Sequence, residues 1–208
     1  VTASRRALLA CTVAIVAALV VSGIAPYDRA TWWMEVAPAV IVLPLLWASR
    51  ERLPLTPLLY GLIAVHAAIL CVGGHWTYAR VPAGDWVRDA LHLARNPYDR
   101  LGHLAQGFVP AVAAREILVR RSPLRGSRWL APLVLAVCLA ISAAYELVEW
   151  ATALLSADGA TDFLGTQGDP WDTQWDMFCA LLGASAALVL LPRIHDRALA
   201  RLRAATGT

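Results

Sequence analysis

The chain reads as an all-α polytopic membrane protein, a six-helix transmembrane bundle with one short interfacial helix. Three observations carry this reading. Of the 208 residues, 59% are hydrophobic and 16% charged, with a mean hydropathy of +0.56, whereas a soluble domain carries about a quarter charged residues. Apolar runs long enough to cross a bilayer recur along the chain. The arginines separate consistently between alternate connections. The same figures exclude disorder, collagen-like repeats and coiled coil, and the length suits a single integral membrane domain over residues 1–208. A net charge of +3 and a pI near 8.9 would suggest a nucleic-acid partner if the basic residues formed a patch. They are scattered between apolar runs, so no nucleic-acid partner is expected. All the basic residues are Arg, which with the Ala richness reads as coding bias.

The first run, Ala7–Ala25, contains Leu8-Leu9-Ala10-Cys11, which looks like a lipoprotein cleavage box. Only a few residues precede it and the apolar run continues past it, so the run is expected to stay as a helix. Turn formers at Ala25-Pro26-Tyr27-Asp28 end it. The second run, Trp32–Ser49, stops at Arg50-Glu51-Arg52-Leu53-Pro54, and the third is Leu55–Gly73. Between Pro82 and Asn96, the polar residues Asp85, Arg88, Asp89, His92 and Arg95 interleave with Trp86, Val87, Ala90, Leu91 and Ala94. That spacing predicts an amphipathic helix, lying on the membrane surface or serving as a solvated connector. The fourth run, Leu101–Val119, is closed by the basic stretch from Arg120 to Gly126, and the fifth is Trp129–Ala151. An acidic connection, Ser156 to Gln174, leads into the sixth, Trp175–Leu191.

Short cytoplasmic connections hold the excess of positive charge. With the N-terminus inside, the inner segments contain Arg5, Arg6, Arg50, Arg52, Arg120, Arg121, Arg125, Arg128, Arg193, Arg197, Arg201 and Arg203. The outer ones contain Arg29, Arg80, Arg88, Arg95 and Arg100. Both termini are therefore expected in the cytoplasm of a bacterial inner membrane. Trp32, Trp33, Trp76, Trp150, Trp171 and Trp175 fall near outer helix ends, and Trp47 and Trp129 near inner ones, as an interfacial belt requires. Cys11, Cys71, Cys138 and Cys179 lie in apolar runs without CxxC spacing and read as small buried hydrophobes.

Ionisable residues inside spans are costly and point to function. They concentrate near the outer ends of the last three runs. Asp99 and His103, four apart, share a face with Gln106 and Pro110; Glu146 and Glu149, three apart, share one with Ser142 and Cys138. Asp172 and Asp176 stand above a small-residue face of Ala180, Gly183, Ala184 and Ala187, which lets backbones approach closely. Asp99 and Asp172 are also placed as helix N-terminal caps. Glu146 and Glu149, at the unfavourable end of their helix, require something cationic: Arg100, His103, His75, Arg95 or a bound metal. One His with several carboxylates is a ligand set for Mg, Mn, Fe or Zn rather than copper. The metal-ligand candidates are His103, Glu146, Asp172 and Asp176. A structural or substrate-orienting network, a divalent metal site and metal-free acid/base catalysis all remain open. His66 and His75, nine apart, face opposite ways on a continuous helix.

The blocks Asp99-Arg100-Leu101-Gly102-His103, Tyr145-Glu146-Leu147-Val148-Glu149-Trp150 and Gly168-Asp169-Pro170-Trp171-Asp172, with Asp176, Ala180 and Gly183, resemble the YjdF-like bacterial inner-membrane proteins of unknown function. Over residues Asp99 to Leu190 they also resemble the broader VanZ-like pattern, with Arg100 where Lys is usual and Glu149 where Gln is common. The VanZ-like resemblance implies action at the envelope surface on or near lipid-linked material, and neither resemblance supplies a reaction.

The expected partners are thus the bilayer and an envelope lipid or lipid-linked substrate. The residues expected to bind it are Asp99, Arg100, His103, Glu146, Glu149, Asp169, Asp172 and Asp176. The alternative is an intramembrane, metal-dependent enzyme with Glu146, Asp172 or Asp176 as general base or metal ligand and His103 as acid/base partner. A transporter ranks last, because no inverted repeat or pair of broken helices is evident.

Overall fold

The computed structural model describes residues 3–155 and 166–206. Among these, all regular structure is helical: α1 (Ala3–Ser22), α2 (Arg29–Ser49), α3 (Pro57–Trp76), α4 (Pro82–Leu91), α5 (Tyr98–Arg121), α6 (Leu130–Leu155), α7 (Asp172–Leu190) and α8 (Pro192–Thr206). The helix starts follow from local chemistry. Asp28 caps α2, its Oδ1 accepting from the Thr31 amide at 2.6 Å. Thr56 caps α3 ahead of Pro57, which spends its missing N–H where no helical bond is due.

Among the described residues, five helices are long and apolar enough to cross a membrane: α1, α2, α3, α6 and α7. The helix expected as a further span, α5, is not among these five, since it carries Asp99, Arg100, His103, Arg115 and Glu116 along one length. The reason is its position. α5 is the central helix, packed most extensively on α7 and also on α3 and α6, so Asp99, His103 and Glu116 are buried against protein. Apolar side chains are exposed around the bundle, among them Val13, Val20 and Val21 on α1, Ile41 and Leu45 on α2, Leu101 and Ile117 on α5, Leu147 and Leu154 on α6 and Val189 on α7, a surface suited to lipid contact.

The core joins Leu8, Cys11 and Ile15 of α1 to Ala39, Leu59, Ala67, Ala111, Val112, Val134, Cys138 and Ala184. α5 and α7 meet backbone to backbone. A Cβ on Gly107 would collide with the Ala180 carbonyl, and one on Gly183 with the Leu104 carbonyl. The small-residue face of α7 therefore packs against α5. Tyr78, in the left-handed region at φ 49°, wedges its ring against Gly73 of α3 and Gly102 of α5.

The amphipathic segment is helical only to Leu91; His92 turns left-handed and closes the helix by bonding back to Arg88 and Asp89. Trp86 is exposed on it. The helix α8 had no counterpart among the apolar runs, because its apolar positions are few. It buries His195, Leu199 and Leu202 on one face and exposes Arg193, Arg197 and Arg201 on the other.

Candidate functional site

At the end of the bundle where α5 begins, α7 begins and α6 finishes, two arginines organise four aspartates. Arg95 precedes α5 and is held there by Asn96, whose amide and carbonyl pair with the Gln167 side chain at 2.9 and 3.1 Å. Its guanidinium bridges Asp99 at 2.9 Å and Asp169 at 3.7 Å, and contacts Asp172 closely. Arg100 bridges Asp172 at 2.7 Å, Asp169 at 3.2 Å and Asp99 at 3.7 Å, and also contacts Asp176 closely. Asp99 and Asp172 are therefore ion-pair partners and not caps. Pro97 and Trp171 occupy the cap positions, and neither helix has a side-chain cap bond.

The arginines satisfy the aspartates, and Glu146 faces a different group. Its ion-pair contact is with His103, whose Nδ1 lies 3.9 Å from Glu146 Oε1. Both atoms are buried without a hydrogen-bond partner. The other ring nitrogen, Nε2, faces Asp99 Oδ1 at 3.5 Å and Asp176 Oδ1 at 3.7 Å. Glu149, one turn along α6 from Glu146, makes no hydrogen bond or ion pair among the described residues. The candidate residues thus divide in two. Asp99, Arg100, Asp169, Asp172 and Asp176 belong to an arginine-centred lattice, and His103, Glu146 and Glu149 stand beside it with unused polar capacity.

A cavity of about 290 Å³ opens beneath them between α2, α3, α5 and α6. Asp99, His103, Gln106 and Pro110 form one wall, as their spacing on α5 implies. Glu35, His66, Tyr78, Tyr145 and Glu149 complete its polar end. Pro38, Val42, Ile63, Val109 and Ile141 line its body. Pro110 deprives the carbonyl four residues earlier, on the cavity-lining Gln106, of its helical donor. Tyr145 donates to Glu35 at 3.0 Å. Glu35 and His66 carry the signal that could have found them, each an ionisable residue alone in an apolar run. α3 is continuous through Gly73 and Gly74, so His66 reaches this cavity while His75 Nδ1 lies 2.9 Å from the Ser22 carbonyl.

A second buried polar cluster lies at the arginine-rich end. Glu116, fully buried, accepts from the Thr56 amide at 2.9 Å, the Thr56 hydroxyl at 2.7 Å, Arg120 at 3.0 Å and His195 at 3.1 Å. Arg115 bonds the other His195 nitrogen at 3.0 Å and Asp196 at 2.8 Å. Every group there is satisfied, and the cluster pins α8 and the start of α3 to α5. A larger groove of about 460 Å³ between α1, α3 and α8 has an apolar lining edged by Arg197 and Arg201. It holds none of the unpaired buried groups found beside His103. The cysteines are free, with Cys11, Cys71 and Cys138 buried and Cys179 partly so. The acidic connection through Asp158 and Asp162 lies outside the described residues.

The chain matches, over residues 7–197, the family described as Predicted membrane protein (DUF2238). It is 58% identical over 189 residues to the Inner membrane protein YjdF of Escherichia coli (strain K12), covering 91% of this chain and 90% of that protein. No solved structure matches. These findings show the YjdF-like resemblance and do not show the VanZ-like one. By its apolar helices and by both comparisons, this chain belongs to the DUF2238 family of multi-pass inner-membrane proteins.

Proposed function

We propose that the protein binds the headgroup of an envelope lipid, or a small amphiphile, at the outward-facing end of its bundle. The single observation behind this is the shape and polarity of the 290 Å³ cavity, polar at the end near Asp99 and apolar along Pro38, Val42, Ile63, Val109 and Ile141. That volume sits at the lower edge of roughly 300–1,000 Å³ for ligand pockets. It suits a headgroup with the first part of a chain, the remainder running out between helices. Arg95 and Arg100 are engaged by aspartates, so the groups that meet the ligand are carboxylates, imidazoles and phenols. They favour an amine-bearing or donor-rich head over a bare phosphate. The outward orientation rests on the arginine distribution.

The facing, unpartnered atoms of His103 and Glu146 favour a second reading, an intramembrane enzyme acting on an envelope lipid with this pair moving a proton. Native mass spectrometry of the detergent-purified chain tests the binding function. The wild type should retain an amine-headgroup lipid over an anionic one, and Ala113→Leu, which fills the cavity wall, should lose it at unchanged melting temperature. A wild type that takes up no lipid on reconstitution, or a filled variant that retains as much, would overturn the reading.

A further inference from the structure

We propose that His103, Glu146 and Glu149 together hold a divalent metal cation at the edge of the cavity described above, which His103 and Glu149 line, a position that rests on the binding reading for its ligand-facing role. The three residues can each offer one ligand atom with all three atoms within 4.8 Å of one another. Around a metal bonded at about 2.1 Å, ligand atoms lie about 3.0–4.2 Å apart. His103 Nδ1 and Glu146 Oε1, at 3.9 Å, already fall within that range.

The unsatisfied atoms point to a cation and not merely to an acidic cluster. His103 and Glu146 are each 6% exposed, and the facing nitrogen and oxygen have no hydrogen-bond partner. On the far side of the ring, Nε2 is set between the Asp99 and Asp176 carboxylates. A proton on Nε2 serves those acids and turns the Nδ1 lone pair toward Glu146. A carboxylate orienting the opposite imidazole nitrogen is the usual support of a metal-bound histidine. Two carboxyl groups and a lone pair then converge on one point, with no ion pair from either glutamate to an arginine among the described residues. A metal ion supplies the missing positive charge and uses all three groups.

A competing trio, Asp99, His103 and Asp176, has the same spacing. Its aspartates are already held by Arg95 and Arg100, so it supports the ring and does not bind the ion. One imidazole with two carboxylates is a mixed nitrogen and oxygen set suited to Mn²⁺ or Zn²⁺.

The test uses the full chain in detergent, stripped with chelator and titrated with Mn²⁺ while the free-ion electron paramagnetic resonance signal is followed, then competed with Zn²⁺. Uptake of about one ion per chain is expected, with affinity lowered roughly tenfold or more in Glu149→Gln and in His103→Gln. Glu51→Gln, exposed and remote from this cluster, should stay within about twofold, as expected for a site with no shared partner. Glu149 makes no bond that holds the fold, so its variant decides the matter should His103→Gln misfold. Absence of uptake by the wild type, the result if only water bridges His103 and Glu146, overturns the proposal, as does wild-type affinity in Glu149→Gln. Lipid retention without metal uptake sinks the metal site alone, and metal uptake without lipid sinks the lipid reading alone.

Discussion

Replacing Arg100 by Met tests the charge balance at the acidic end of the bundle. Methionine keeps most of the side chain's packing volume and removes the guanidinium. Arg100 bridges Asp99, Asp169, Asp172 and Asp176, and its side chain is 19% exposed. After its removal Asp172 still has Arg95, and Asp99 has Arg95 and His103. Asp176, 2% exposed, keeps only His103 at 3.7 Å. The substitution thus strands one buried carboxylate, and breaking a buried pair in this way costs about 3–5 kcal/mol. Partial exposure of Arg100 admits some water and places the value near the lower limit. Asp176→Asn should behave differently. The lattice holds four aspartates against two arginines, so removing one negative charge relieves repulsion while Asp169 and Asp172 still engage Arg100. Its cost should be about 1 kcal/mol or less, within the ordinary range for a neutral polar exchange. In the double variant no charge is stranded, and the coupling energy should be about 2 kcal/mol. Reversible denaturation in mixed micelles, followed by tryptophan fluorescence, measures all three. Asp176→Asn as costly as Arg100→Met, or strictly additive effects in the double variant, would refute the stranded-charge reasoning.

Glu116→Ala should cost about 3–5 kcal/mol by the same measurement, because Arg120, His195 and the Thr56 amide lose their shared acceptor; Glu116→Gln, which keeps an acceptor, should cost clearly less. Gly107→Val drives a side chain into the Ala180 backbone and should lose about 1–3 kcal/mol, whereas Gly61→Ala, with open space at its Cβ, should be neutral or slightly stabilising. Asp28→Ala should cost about 1 kcal/mol. The amide bond from Thr31 holds the Asp28 carboxyl below its ordinary value, so the cap's contribution is complete above the unfolded-state value near 3.8 and disappears as pH falls through the lower folded-state one. A pH titration of the Asp28→Ala difference that stayed flat through this range would contradict the assignment. Single cysteines at Arg125 and Arg201 should be shielded from impermeant reagents in intact cells and one at Asp89 labelled; labelling at Arg201 would reverse the proposed orientation.

The helical class and most helix positions were legible because a bilayer demands long apolar runs with satisfied backbones, and such runs show in one dimension. Thus α1, α2, α3, α6 and α7 lie within a few residues of their expected bounds. α5 was found as a run, although its charged residues set it apart from the five apolar helices. α8 was not, since a polar helix at the end of the bundle leaves little hydropathy signal. In the candidate site, the pairing of Asp99 with His103 and of Glu146 with Glu149 on single helix faces followed from spacing alone.

Sequence by itself determined the membrane class, the helical periodicity and which polar residues share a face, because these depend on neighbours within one or two turns. Only the tertiary structure decided their partners. Arg95 and Arg100 could have faced Glu146 and Glu149, yet the approach of α5 and α7 through Gly107 and Gly183 carries them to Asp172 and Asp176 instead. Glu35, from a helix remote in sequence, joins Tyr145 at the cavity. Which charge neutralises which is set by interhelical distance, and Coulomb and hydrogen-bond energies fall too steeply with that distance for any one-dimensional pattern to assign it.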